Sequence, residues 1–205
     1  MRKILLFLII SLIYIHCYSQ NIQKIDGIGK IRLGMTISEL RNIFGKDIKA
    51  TKELNKGITS TFIIEKYLPV EGYYINDFNL SFYKDSLYAM YSIEGTNIKD
   101  ALDIKYGEPK MDIKKEIKEY VNGFGNKIEK VDQAFNFTWE TGNPDIVCYY
   151  TDKVIHSSNG TPNRYTVFGI ENQRILNEIE MIKGRKDEME SQKRKQENIE
   201  KLNDL

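Results

Sequence analysis

Histidine and cysteine are scarce in this sequence, and their scarcity excludes several kinds of site. The 205 residues contain two histidines and two cysteines. His16 and Cys17 belong to the N-terminal segment, which leaves His156 and Cys148 in the rest of the chain. A structural zinc site is built mainly from four Cys or His ligands, so we expect no zinc. The sequence also lacks the spacing of a calcium loop and the glycine pattern of a dinucleotide site, so we expect no other metal or cofactor. A single cysteine beyond residue 17 also excludes an internal disulfide there.

The sequence also has no large excess of positive or negative charge. The formal net charge is +1, and lysine and arginine form no basic block in the globular part of the chain. A concentrated basic surface is the usual footprint of a protein that binds nucleic acid or anionic lipid. We therefore expect no nucleic-acid partner. The only long apolar run covers residues 4–15, so no transmembrane segment is expected in the mature chain.

Residues 1–19 are typical of a secretory signal peptide. Arg2 and Lys3 precede the apolar run, and small or polar residues follow it. Cleavage after Ser19 would leave Gln20 as the new terminus, and this is the ending we favour. Attachment of a lipid to Cys17 is the alternative, although Ile15 and His16 do not resemble the small residues that precede a lipidated cysteine. An exported protein, periplasmic or secreted, is the expectation.

The best-specified stretch is IRLGMTISELRNIFG, residues 31–45. Thr36 or Ser38 can cap a helix over about 36–44, and Glu39 stands three residues after Thr36, as in a capping box. Gly45 is suited to end the helix. A weaker copy of the pattern predicts a second helix over about 97–106, with Asn97 as the cap, Leu102 in the apolar stripe and Gly107 at the end.

The remaining segments predict strands in each half of the chain. We expect strands over 61–68 (ended by Pro69), 79–83, 87–93, 134–140, 145–150 and 165–170, with a hairpin turn at Lys84-Asp85 and a solvated loop over 156–163. Residues 47–57 are ambiguous. The sequence MDIKKEIKEYVNGFG, residues 111–125, predicts an amphipathic helix because Ile113, Ile117, Tyr120 and Val121 lie at positions i, i+4, i+7 and i+8.

These elements predict an α+β fold of two tandem repeats, each a helix followed by an antiparallel sheet. The first repeat spans 20–95 and the second 96–173. Residues 174–205 are rich in Lys, Arg, Glu and Gln, and predict a charged C-terminal helix. If the repeat is real, Leu40 and Leu102 should both be buried, and Trp139 should face the helices with Phe135 and Phe137.

Residues with the chemistry for catalysis are present only singly. His156 lies beside two serines in the predicted loop, without an orienting acid or an oxyanion site nearby in sequence. Cys148 lies in an alternating strand, where a buried and unreactive thiol is expected. Several acidic residues could in principle supply a glycosidase pair, but no spacing singles out two of them: Asp77, Asp85, Glu94, Asp100, Glu140, Asp145 and Asp152. We therefore predict no catalytic, cofactor-binding or metal-binding residues.

Leu33-Gly34-Met35-Thr36, with Glu39-Leu40 and Phe44-Gly45 after it, resembles the helix-opening motif of the SmpA/OmlA (BamE-like) family. Domains of the β-lactamase-inhibitor-like type share the topology of that family. The second copy retains Leu102, Tyr106-Gly107 and Pro109. The resemblance implies a helical hairpin packed on an antiparallel sheet, and a role in assembly at the outer membrane. This chain departs from the family in having two halves and no clean lipidation motif.

Together these observations predict a non-enzymatic envelope protein. It would bind another protein or an envelope component through its sheet face. The alternative is a module that binds a small ligand or glycan through exposed tyrosines, of which the chain has 13.

Overall fold

The computed structural model describes residues 24–45, 58–93, 96–121, 123–157 and 159–203. The predicted signal peptide and the ambiguous segment 47–57 lie outside the described residues. Nine strands and three helices follow one another along the described chain: β1 (Gly27–Ile28), β2 (Ile31–Arg32), α1 (Ile37–Phe44), β3 (Thr59–Val70), β4 (Tyr73–Tyr83), β5 (Ser86–Ser92), α2 (Lys99–Tyr106), β6 (Lys110–Val121), β7 (Lys127–Trp139), β8 (Ile146–His156), β9 (Pro162–Asn172) and α3 (Gln173–Asn203).

The predicted tandem of two helix-plus-sheet repeats is wrong. Strands β3 to β9 form one seven-stranded antiparallel sheet in the order β3-β4-β5-β9-β8-β7-β6, and β1 and β2 form a separate two-stranded ribbon. The large sheet is continuous because β5 pairs with β9, with Met90 opposite Ile170. Strands from both predicted repeats therefore belong to one hydrogen-bonded sheet.

One face of the large sheet, called here the first face, carries the main core. Helices α1 and α2 and the β1–β2 ribbon pack on it, and Leu40 and Leu102 are both buried there as predicted. Trp139 also lies on this face, where its indole N–H donates to the carbonyl oxygen of Gly107 at the end of α2 (3.1 Å). Burial of large apolar side chains of this kind supplies most of the stability of a domain.

The opposite face, called the second face, is covered over β4 and β5 by the start of α3. Ile179 is buried against Tyr83, Tyr88 and Ala89. A β-bulge in β5 lets this strand serve both cores: Phe82 pairs with Leu87, whereas Ser81 pairs with Ala89. The extra residue shifts the alternation, so that Leu87 and Met90 both reach the first face.

The predicted start of α1 is confirmed in atomic detail. The Thr36 side chain accepts a hydrogen bond from the Glu39 amide, and the Glu39 carboxylate accepts one from the Thr36 amide. Asn97, by contrast, does not cap α2. Its side chain accepts from the Tyr74 amide (2.8 Å) and donates to the Gly72 carbonyl (3.0 Å), so it secures the β3–β4 turn instead.

The predicted helix over 111–125 is wrong, because residues Lys110–Val121 form β6. All twelve of its residues pair with β7, with Ile113 opposite Phe135 and Ile117 opposite Val131. The spacing of Ile113, Ile117 and Val121 fits both a helix of period 3.6 and a strand of period 2. Tyr120 favoured the helix, but in the strand it lies on the opposite face from those three, where its hydroxyl donates to the His156 carbonyl. Pairing with β7 decided in favour of the strand.

Two further boundaries differ from the prediction. Pro69 does not end β3, which continues to Val70. The strand tolerates proline because β3 is an edge strand, where an amide that faces outward needs no partner in the ladder. The predicted loop over 156–163 is shorter, since His156 ends β8 and Pro162 begins β9.

Candidate functional site

Cys148 lies at the centre of the first face. It is fully buried, and it is flanked across the sheet by Trp139 and Ile170. Burial raises the pKa of this thiol to about 12. The nucleophilic and metal-binding form of cysteine is the thiolate, so this position is suited to packing rather than to chemistry.

His156 is not in a solvated loop. Only 12% of its side chain is exposed, and its ring Nδ1 lies 2.9 Å from Oδ1 of Asp132. The His156 backbone amide donates to the same oxygen at 2.8 Å. The hydroxyl of the adjacent Ser157 donates to the Thr161 carbonyl at 3.1 Å, within its own turn. The described contacts therefore form a carboxylate–histidine pair without a serine on the histidine.

Asp132 is the centre of a charged cluster at the tips of three strands. Lys118 of β6 donates to its Oδ2 at 2.6 Å, while His156 of β8 holds Oδ1. The Tyr120 hydroxyl donates to the His156 carbonyl at 2.8 Å. The hydrogen bond from Lys118, followed by that from His156, lowers the pKa of Asp132 to about 2. A carboxylate held ionised in this way is a poor general acid, and its contacts tie β6, β7 and β8 together.

The Asp132 cluster has a clear structural task. Strands β7 and β8 cease to pair beyond Gln133 and Val154, so the tips of the two hairpins would separate without another link. Beside the cluster is an open cleft of about 330 Å³, lined by Lys114, Lys118, Lys153 and neighbouring residues. Asp132 is the buried charged residue of this cleft, and both of its carboxylate oxygens already have hydrogen-bond partners in Lys118 and His156.

The other acidic residues are dispersed. Asp152 pairs with Arg164, whose Nε lies 2.9 Å away, and Asp85 accepts from the Ile37 amide at the start of α1. Asp145 lies 3.8 Å from Arg174, and Glu94 lies outside the described residues. Within the described residues, no group of three His, Cys, Asp or Glu side chains could hold a metal ion.

Most tyrosine side chains pack or form hydrogen bonds within the protein. Those that the structure describes are buried or half-buried, and none is fully exposed. The hydroxyl of Tyr149 donates to Glu171 (2.7 Å), and that of Tyr83 donates to Glu178 (2.7 Å). Burial, with the carboxylate of Glu171 second, raises the pKa of Tyr149. An exposed aromatic platform for a sugar is therefore not among the features of the described surface.

The most unusual surface is apolar. Five large hydrophobic side chains of β6 and β7 lie between 43% and 68% exposed: Met111, Ile113, Ile117, Val121 and Val131. Cross-strand partners share a face of the sheet, so the pairing of these strands places all five on the first face. We call this set the apolar strip. Helices α1 and α2 pack farther along the same face, around Leu40 and Leu102.

Comparison with known proteins identifies no relative of this chain. No family model, curated protein or solved structure matches this chain. None of the helices within the described residues is long and apolar enough to cross a membrane.

Sequence reasoning missed both the apolar strip and the Asp132 cluster for the same reason. Both depend on residues 110–121 being a strand. The signal that could have revealed it is the alternation of Met111, Ile113, Ile117 and Val121 at odd positions, with Lys118 and Tyr120 at even ones. The position of Asp132 next to His156 was not accessible, because the two lie 24 residues apart in sequence.

Proposed function

We propose that this chain is a non-enzymatic, exported protein of the cell envelope that binds another protein through the apolar strip. The observation that supports the proposal is the exposure of five large apolar side chains on one face of a single hairpin. Isolated exposed hydrophobic residues are ordinary in soluble proteins, whereas several of them on one face are a candidate binding surface. The resemblance to the SmpA/OmlA family stays a prediction, and so does its implied assembly role.

The surroundings of the strip favour a protein partner over a lipid surface. Lys115 and Glu119 stand between the apolar side chains of β6, and Lys127 and Glu119 form an ion pair at 3.1 Å. Apolar side chains interspersed with charges of both signs suit a protein partner that carries complementary charges. An anionic membrane would instead be met by basic residues alone.

Site-specific crosslinking tests the binding surface. A photo-activatable amino acid placed at Met111, in cells that make the native protein, should yield a discrete adduct with a different protein. The matched control is the same amino acid at Ile104 of α2, which is 80% exposed and lies outside the strip. The Val131→Asp variant should suppress the Met111 adduct. Equal adducts at both positions, or an adduct unaffected by Val131→Asp, would contradict the proposal.

Export is tested independently by the intact mass of the protein purified from its native cells. Cleavage after Ser19 should leave a chain that begins at Gln20 and carries no lipid. A diacylglyceryl group on Cys17 would show that the lipidated ending was the correct alternative. An uncleaved chain in the cytoplasm would refute export altogether.

A further inference from the structure

Strand β6 has a free edge of twelve residues, as long as the edge that β3 presents at the other end of the sheet. It lies at the end of the seven-stranded sheet, and within the described residues it pairs with β7 alone. Its first eight residues are all exposed. Such an edge presents a row of backbone N–H and C=O groups to any strand that can lie beside it. Charged side chains on an edge strand oppose unspecific pairing, so a strand that occupies the edge of β6 must match the charges of β6.

We infer that two copies of this chain pair through β6, antiparallel and related by a two-fold axis at Ile117. In such a pair, residues equally distant from Ile117 face one another. Lys115 of one copy then faces Glu119 of the other. Glu116 faces Lys118, whose ammonium group also contacts Asp132 (2.6 Å) and Glu116 (3.5 Å) of its own chain. Each of these contacts occurs twice, and in every case opposite charges meet. Opposite charges directly across two strands stabilise the pairing, and like charges weaken it.

The uncharged residues match in the same register. Ile117 meets its own counterpart on the axis, Ile113 faces Val121, and Lys114 faces the ring of Tyr120. Ile117 and Val121 are 68% and 63% exposed in the single chain. Because odd-numbered residues of β6 lie on the first face, all the apolar contacts fall on that face together. Nine residues of each strand, 113–121, take part.

Other two-fold registers of β6 are less favourable. A register centred on any charged residue sets that residue against itself, and one centred on Glu116 also sets Lys114 against Lys118. A register centred on Ile113 avoids like charges, but it pairs only seven strand residues, 110–116, and sets Met111 against Lys115. The axis at Ile117 is the one that pairs the longest stretch with every charge matched.

The inference deepens the proposed function. The role of the dimer as a binding surface rests on that proposal, whereas the pairing of the two β6 strands does not. A two-fold axis perpendicular to the sheet turns the first faces of both copies to the same side. The two apolar strips then join into one continuous surface across a sheet of double width. A partner protein would thus meet two chains, and the binding surface would be complete only in the dimer.

Sedimentation velocity of the purified protein across a range of concentrations tests the pairing without any partner protein. The unaltered protein should sediment as a dimer. The Ile117→Lys variant places two lysines on the axis and should sediment as a monomer. Leu68→Lys is the matched control, because Leu68 is similarly exposed (63%, against 68% for Ile117) but lies on β3 at the other edge of the sheet. That variant should remain a dimer. Circular dichroism confirms that each variant is folded.

Charge exchange tests the register itself. Lys115→Glu and Glu119→Lys should each create two like-charge contacts and raise the dimer dissociation constant about tenfold. The double variant restores opposite charges and should return the constant to near its original value. Loss of the intrachain contact between Glu119 and Lys127 should matter little, because both groups are well exposed.

A monomeric unaltered protein, a dimer that survives Ile117→Lys, or a double variant as weak as the single ones would each overturn the inference. None of these results depends on the crosslink at Met111. Failure of the pairing and failure of the proposed function are therefore distinguishable.

Discussion

Gly169 and Tyr149 form a contact in which a single methyl group should destabilise the protein. Gly169 lies in β9 directly opposite Tyr149 of β8, and the tyrosine ring covers the glycine. A Cβ atom at position 169 would lie 2.5 to 2.7 Å from two ring carbons and the hydroxyl oxygen of Tyr149. The ring is also fixed by its hydroxyl, which donates to Glu171 at 2.7 Å. Gly169→Ala should therefore displace the ring and break this hydrogen bond.

The magnitude follows from two opposed effects. Alanine is favoured over glycine inside a strand by about 0.5–1 kcal/mol, because glycine loses more backbone freedom on folding. Overpacking by one methyl group costs about 1–3 kcal/mol. The overpacking should prevail while Tyr149 is present, so Gly169→Ala should lower the free energy of unfolding. In a Tyr149→Ala background only the first effect remains, and the same change should stabilise the protein.

Urea unfolding of the four chains measures this change of sign. Circular dichroism reports the sheet, and the fluorescence of Trp139, the only tryptophan in the sequence, reports the core on the opposite face. The coupling between positions 149 and 169 should be about 1–3 kcal/mol. A Gly169→Ala change that costs the same with and without Tyr149 would show that the ring does not oppose the methyl group.

Three further predictions concern stability. Leu40→Ala and Leu102→Ala should each lower the free energy of unfolding by about 2–5 kcal/mol, measured in urea, because each leaves a cavity in the same core; a cost below 1 kcal/mol would contradict that packing. Truncation after Lys183 should leave the melting temperature nearly unchanged, since the buried Ile179 of α3 is retained; a large fall would show that the distal helix packs on the core. Asp132 has a pKa lowered to about 2 from its ordinary 3.8. Its ion pairs should therefore stabilise the fold fully above about pH 4 and cease to do so as the pH falls through about 2. The melting temperature of Asp132→Asn should lie below that of the unaltered chain at pH 6 and approach it at pH 2.

Local signals in the sequence determined the local structures. The capping box of Thr36 and Glu39 depends on four consecutive residues, so its outcome was readable before any tertiary contact. The turn at Lys84-Asp85 is equally local, and both residues adopt the left-handed conformation that closes a tight hairpin. The burial of Leu40, Leu102 and Cys148 also followed from short apolar patterns.

The tertiary structure decided what the sequence left ambiguous. Apolar residues four apart in 110–121 suit either a helix or a strand, and only pairing with β7 selected the strand. The join of β5 to β9 turned two expected repeats into one sheet, because β-ladders connect residues that are far apart in the chain. His156 became a partner of Asp132 by the same route. The sequence around a residue does not indicate which side chain it will meet across a sheet. The apolar strip and the Asp132 cluster can therefore be recognised only once the strands are paired.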